Sequence, residues 1–104
     1  MNYVAFFFAG ALLCNCIPHL TAGLQGIPFP TPFAKPRGIG NSSPLLNVLW
    51  GGLNVAAGLA LLVRHPTVLG ANLNCLAIAA GALSLGIYIS RHFGRVRQKP
   101  VIAP

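Results

Sequence analysis

The sequence predicts an all-α membrane protein: one transmembrane domain, residues 1–104, with three transmembrane helices. Hydrophobic residues make up 55% of the chain and charged residues only 7%, whereas soluble domains carry about 25% charged residues. A soluble fold of this size has too little interior to bury so much apolar surface. Three apolar segments each approach the length of about 20 residues that crosses a bilayer.

The first helix is predicted at residues 2–26. It lacks the positively charged start and the small-residue cleavage site of a signal peptide, so we expect it to remain in the protein. Pro18 cannot donate a hydrogen bond to the carbonyl of Cys14, and its ring strains that turn. We therefore expect the first helix to be kinked at Pro18.

The second and third helices are predicted at residues 44–63 and 67–90. Ser43 is a typical N-cap, and the proline that follows it suits the first helical turn. Residues 64–66 (Arg-His-Pro) interrupt the apolar run, and Thr67 can cap the third helix. So short an interruption predicts a tight hairpin with the two helices packed antiparallel.

Basic residues predict the direction of the three spans. The N-terminus and the turn after the second helix lie on one side, which carries Arg64 alone. The other side carries the loop at 27–43 and a basic tail at 91–104. Its six cations are Lys35, Arg37, Arg91, Arg95, Arg97 and Lys99. This bias predicts an outside N-terminus and a cytoplasmic C-terminus.

The chain contains no Asp or Glu and has a formal net charge of +7. Its cations flank apolar segments instead of lining a polar surface, so we expect anionic lipid head groups as partners and no nucleic acid. The missing carboxylates exclude paired-carboxylate hydrolysis, carboxylate-driven proton coupling and an all-protein magnesium or calcium site within one chain. Without a nucleophile motif or a carboxylate to orient a histidine, we expect neither an enzyme nor a cofactor.

Small residues on the second and third helices predict close helix packing. The second helix places Asn47, Gly51, Asn54 and Gly58 on one side. The third carries two adjacent small-residue stripes, which suit a helix between two neighbours. Packing and a few asparagine hydrogen bonds explain these stripes without a ligand. Because three short helices leave much small-residue surface to cover, we also expect a homo-oligomer or a membrane-protein partner.

The segment 27–43 is predicted to be an extended, proline-rich loop. Its second half, KPRGIGNSS, precedes a helix N-terminus, where backbone amides and the helix dipole favour anions. The residues that would hold a lipid phosphate there are Lys35, Arg37, Asn41, Ser42 and Ser43. The simpler interpretation is a capped helix with two charges that set the topology.

Polar side chains of all three helices are expected at similar depths beneath the loop. Asn15 and His19, four residues apart, share one face of the first helix. The candidate ligand-binding residues are Asn15, His19, Asn47, Trp50, Asn54, Ser84 and Tyr88. His19 is either functional or a structural histidine bonded to Asn47 or to a backbone carbonyl freed by Pro18. Cys14-x-Cys16-x-x-His19 is similar to a soft-metal site, but thiols two helical positions apart point in different directions, so we expect no metal.

Four motifs occur in the first half of the chain: N-C-I-P-H at 15–19, P-F-P-T-P-F-A at 28–34, G-I-G-N-S-S at 38–43 and N-V-L-W-G at 47–51. Together they resemble a family of small bacterial integral membrane proteins. The resemblance implies a bacterial inner-membrane location and supplies no activity, ligand or catalytic residue.

Two functions fit these observations. The preferred one is non-enzymatic binding of a lipid or a membrane-protein partner through the inner-leaflet polar cluster and the basic loop. The alternative is a small oligomeric transporter or channel whose path is lined by Asn15, His19, Asn47 and Asn54.

Overall fold

The computed structural model describes residues 2–98, which form three long helices and one very short hairpin-like sheet. The helices are α1 (Tyr3–Leu24), α2 (Pro44–Arg64) and α3 (Leu73–Arg97). Each is long and apolar enough to cross a membrane by length and composition. The predicted fold class, a helical chain with three candidate spans, is confirmed at this level and fits a multi-pass membrane protein.

Helix α1 occupies the central position. It packs along both α2 and α3, whereas α2 and α3 make at most marginal contact with each other in the described part of the chain. α1 buries six residues, while α3 buries only Gly81. The structure thus differs from the expected antiparallel packing of the second and third helices: the helix between two neighbours is α1.

Glycines bring α1 and α3 into backbone contact. A Cβ atom added at Gly10 would overlap the carbonyl oxygen of Ile78, and one added at Gly81 would overlap the carbonyl oxygen of Phe7. In lipid, helices associate through such close packing, because burial of apolar surface gains little there. These two glycines therefore fix α3 against the first half of α1.

α2 packs against α1 through the face that was predicted from the sequence. Its buried residues are Asn47, Gly51, Asn54 and Gly58, which confirms that prediction. A Cβ atom at Gly51 would lie 2.7 Å from Cγ of Leu20, so a side chain of α1 fills the space above the glycine. Asn47 and Asn54 lie two turns apart on the same face and bring polar groups into the interface.

Helix α3 begins six residues later and ends seven residues later than predicted, at Leu73 and Arg97. Asn72, a stronger N-cap than Thr67, accepts a hydrogen bond from the amide of Cys75 (2.9 Å). The connection between α2 and α3 therefore spans residues 65–72 and is longer than the expected turn. No proline occurs between residues 91 and 97, and this first half of the predicted basic tail is helical. Lys99 lies outside the described residues.

Helix α1 ends at Leu24, two residues before Gly26, whose φ of 73° lies in the left-handed region that favours glycine. It is assigned as one continuous helix through Pro18. The kink expected at Pro18 stays a prediction.

The loop at 27–43 folds back on itself and is not a plain extended linker. Phe29–Pro30 (β1) pairs antiparallel with Asn41–Ser42 (β2). Between them, the carbonyl of Thr31 accepts hydrogen bonds from the amides of Ala34 (3.1 Å) and Gly38 (2.9 Å). Phe29, Thr31, Ala34 and Ser42 are buried, so the loop forms a packed cap at the end of the helices.

Candidate functional site

Asn47 is the centre of the polar cluster and is fully buried. Its Nδ2 donates to the carbonyl oxygens of Phe29 (2.9 Å), Ser42 (3.3 Å) and Ser43 (3.1 Å), and its Oδ1 lies 2.8 Å from Nδ1 of His19. Because three carbonyl oxygens surround Nδ2, Oδ1 must be the acceptor and His19 must carry its proton on Nδ1. One side chain of α2 thus holds α1 and both strands of the cap.

His19 is enclosed by aromatic rings and is 2% exposed. The ring centres of Phe29, Trp50 and Phe93 lie 5.5, 6.4 and 6.4 Å from that of His19, all in edge-to-face arrangements. The bond from Nδ1 to Asn47 is the one expected of a structural histidine. This arrangement leaves Nε2 as the acceptor of the neutral ring.

A second polar contact joins α1 and α2 two turns further along. Asn15 Nδ2 donates to Asn54 Oδ1 (3.1 Å), and Asn54 Nδ2 donates to the carbonyl of Trp50 (2.8 Å). Asn54 is 3% exposed. The three predicted asparagines and His19 are therefore brought together, but their polar groups are bonded mainly to one another and to the backbone.

The indole nitrogen of Trp50 is the one buried side-chain nitrogen or oxygen that lacks a hydrogen-bond partner among residues 2–98. Trp50 lines a cavity of about 150 Å³ between the cap, α1 and α3. Asn15 and His19 line the same cavity. A buried polar group without a partner is uncommon in proteins, and this cavity is large enough for several water molecules.

Ser84 and Tyr88, the predicted contributions of the third helix, are exposed. Tyr88 stacks on His92 with a ring separation of 6.1 Å, and His92 Nε2 donates to the carbonyl of Gly38 (2.6 Å). Phe93 packs against His19 from the same turn. His92 and Phe93 were missed because the third helix was expected to end at residue 90. The i, i+4 spacing of Tyr88 and His92 was the available signal.

The predicted anion site is only partly open to a ligand. Its residues are Lys35, Arg37, Asn41, Ser42 and Ser43. Ser42 Oγ is hydrogen-bonded to Thr31 Oγ1 (2.6 Å), and Ser43 Oγ caps α2 by accepting from the amide of Leu46 (3.1 Å). Both hydroxyl groups are thus used within the cap. The side chains that face outward are the two cations and Asn41.

Cys14 and Cys16 lie in different surroundings. Cys16 is buried and its thiol donates to the carbonyl of Leu13 (2.9 Å), while Cys14 faces a groove between α1 and α3. No three His, Cys, Asp or Glu side chains within residues 2–98 lie close enough to hold a metal ion together. The two thiols therefore do not meet beside His19.

The groove between α1 and α3 was not expected from the sequence. It has a volume of about 550 Å³ and a mostly apolar lining. Its lining residues run from Cys14 on α1 to Gln25, just after this helix ends, and from Gly86 to Arg97 on α3. The guanidinium carbon of Arg97 lies 6.0 Å from the centre of the Phe29 ring. This ring forms the wall of the groove next to Arg97. The groove exists because α3 continues past residue 90.

The motifs that suggested a bacterial membrane protein family meet at this end of the molecule. N-C-I-P-H lies on α1, the two loop motifs form the cap, and N-V-L-W-G lies in the first two turns of α2. Asn47, in the last of these, bonds to residues of the other three. The family assignment itself stays a prediction. No protein-family model matches the chain, and neither curated proteins nor solved structures gave a significant match.

Proposed function

We propose that this protein is a non-enzymatic, multi-pass protein of the bacterial inner membrane that binds anionic lipid at its cytoplasmic end. One observation carries the proposal: a group of unneutralised cations at one end of the molecule. The chain has no side-chain carboxylate that would pair with them. The described members of this group, all exposed, are Lys35, Arg37, Arg91, Arg95 and Arg97.

Contacts between the cap and α3 bring these cations to the same end. His92 donates to Gly38 in the cap, and the rings of Phe93 and Phe29 lie 4.7 Å apart. Arg64, at the far end of α2, is separated from this group by the length of the helix. This distribution supports an N-terminus outside and a C-terminus in the cytoplasm.

The bonding within the polar cluster favours a binding protein over a transporter. Asn15, His19, Asn47 and Asn54 hydrogen-bond to one another or to backbone carbonyls. A conducting path lined by these residues requires those bonds to break. The cluster is better suited to hold the cap and the helices in position. A bend of α1 at Pro18 belongs to the same proposal, because Pro18 lines the groove and a bend there would set the width of the groove.

Exposed apolar residues cover much of α2 and α3, for example Leu49, Leu53, Leu76 and Leu83. Lipid chains, a second copy or a membrane-protein partner would cover these faces. Homo-oligomerisation and a protein partner therefore remain compatible with lipid binding at the cytoplasmic end.

Native mass spectrometry from mixed micelles tests the proposal. The protein is presented with equal amounts of anionic phosphatidylglycerol and zwitterionic phosphatidylethanolamine. We expect preferential retention of the anionic lipid, because each cation near an anionic surface contributes about 1 kcal/mol. The double variant Lys35→Gln/Arg37→Gln should then retain about 30-fold less anionic lipid.

The matched control is Arg64→Gln, which removes a cation from the opposite end and should leave retention unchanged. Equal retention of the two lipids by the unmodified protein would contradict the proposal. Solute flux into liposomes that disappears in a folded His19→Ala variant would favour the transporter instead.

A further inference from the structure

We propose that the groove between α1 and α3 is a binding site for one anionic phospholipid, with an acyl chain along the groove and the phosphate on Arg97. This inference rests on the proposed function and names a site for it. The site differs from the loop site expected from the sequence, whose serine hydroxyls are already bonded within the cap.

The length of the groove matches one leaflet. The lining runs from Cys14 on α1 to Gln25, the residue that caps its C-terminus, and from Gly86 to Arg97 on α3, twelve positions in each case. At 1.5 Å per residue, the eleven steps between the first and last position span about 16 Å. The hydrocarbon core of a bilayer is about 30 Å thick, so the groove spans about half of it. The length of the groove is therefore comparable with that of an acyl chain in one leaflet.

The lining of the groove suits a hydrocarbon chain. Ile17, Ile89 and Phe93 supply apolar surface, and Ala22 and Gly86 are small enough to leave the depression between the helices. The volume of about 550 Å³ falls within the range of roughly 300–1,000 Å³ that is usual for ligand sites. Because the groove is open along its length, a lipid can enter it sideways from the bilayer.

Arg97 provides the charge at the mouth of the groove. Its guanidinium lies over the ring of Phe29 at 6.0 Å, a favourable cation–π distance that holds it near the groove wall. A guanidinium can donate two parallel hydrogen bonds to a phosphate. Phe29 is itself anchored, because its carbonyl accepts from Asn47 (2.9 Å). The polar cluster thereby positions the cation that would receive the head group.

Charge decides between a phospholipid and a second copy of the chain as the occupant. Another copy also carries a net charge of +7 and offers no Asp or Glu side chain to Arg97. Packing it into the groove would bring cations close to Arg97 without a compensating carboxylate. An anionic phospholipid supplies both the apolar chain and the complementary charge.

Two pairs of variants test the site in the full-length protein, with phosphatidylglycerol as the probe in native mass spectrometry. Gly86→Leu fills the groove: an added Cβ meets only Cys14 Sγ, at an ordinary 3.6 Å, so the backbone can stay in place. Its control, Gly52→Leu, adds the same side chain where a Cβ meets nothing within 4 Å. Arg97→Gln removes the head-group contact, and its control Arg64→Gln removes an exposed arginine at the opposite end of the molecule that does not line the groove.

We expect Gly86→Leu and Arg97→Gln each to lower retention of the probe by about tenfold, the effect of losing a charged hydrogen bond or the space for the chain. Both controls should retain it as the unmodified protein does. Preferential retention of the anionic lipid that persists unchanged in Gly86→Leu would overturn the groove site while leaving the proposed function intact. Absence of any anionic preference in the unmodified protein would overturn both.

A cross-linking measurement covers the case in which a variant does not fold. Phosphatidylglycerol with a photoreactive group in its acyl chain is incorporated with the unmodified protein into nanodiscs, and the modified residues are mapped. Labels on Ile17 or Ile89 would support the proposal. Labels confined to α2, or links between two copies through the groove, would overturn it.

Discussion

Replacement of Asn47 by alanine should destabilise the protein more than replacement of any other cluster residue. The side chain is fully buried: its two N–H groups are shared among three carbonyl oxygens, and its Oδ1 accepts from His19. At about 0.6 kcal/mol for each hydrogen bond in a membrane protein, the three bonds that these groups can make set a lower value of roughly 1.8 kcal/mol. Buried groups left without a partner cost about 1–3 kcal/mol each. His19 Nδ1 and the carbonyl of Phe29 would be such groups, so we expect a loss of about 3–4 kcal/mol.

The free energy of unfolding is measured by titrating the protein from mild detergent into dodecyl sulfate, with helix content followed by circular dichroism. Asn54→Ala is the matched control. It removes one contact with Asn15 and one with a carbonyl that already lies within a helix, so about 1 kcal/mol is expected. If Asn47→Ala costs no more than Asn54→Ala, the central role assigned to Asn47 is refuted.

Three further predictions concern helix packing, the cap and the topology. Gly10→Ala should separate α1 from α3 and lower the free energy of unfolding by about 2 kcal/mol in the same titration, because the new methyl group meets backbone. The control Gly52→Ala should not destabilise the protein. His92→Phe keeps an aromatic ring but removes the hydrogen bond to the cap. It should therefore lower the free energy of unfolding by about 1 kcal/mol and speed hydrogen exchange of the cap amides. Unchanged exchange would argue against this contact. In a cysteine-free background, a membrane-impermeant thiol reagent applied to intact spheroplasts should label Arg64→Cys but not Lys35→Cys. The opposite labelling pattern would reverse the proposed orientation.

The sequence predicted the helices and one of their faces well, because long apolar runs and glycine spacing are local signals. Asn47 and Gly58 illustrate this: both lie on the face that the pattern indicated. Similar spacing could not identify which helix is central, since small residues occur on all three. The close approach of Gly10 and Gly81 to the backbone of the facing helix reveals that α1 packs against α3 as well as α2.

The candidate site was predicted in part. The polar groups of α1 and α2 contact each other as expected, and His19 is hydrogen-bonded to Asn47. The remaining partners of Asn47 are backbone carbonyls of the cap, which carry no residue-specific signal in a sequence. The groove depends on α3 continuing to Arg97, beyond the residue at which the apolar run ends in the sequence.

The central position of α1 has a consequence for how the protein is assembled. Since α2 and α3 make at most marginal contact across the described chain, each docks on its own side of a shared template, and the two are coupled through the cap, which contacts Asn47 of α2 and His92 of α3. Of the three described helices, α1 is synthesised before α2 and α3, and both of these pack against it. The connection at 65–72 tethers α3 to α2. Changes in its length should alter the local concentration of α3 near α1 more than the final arrangement of the helices.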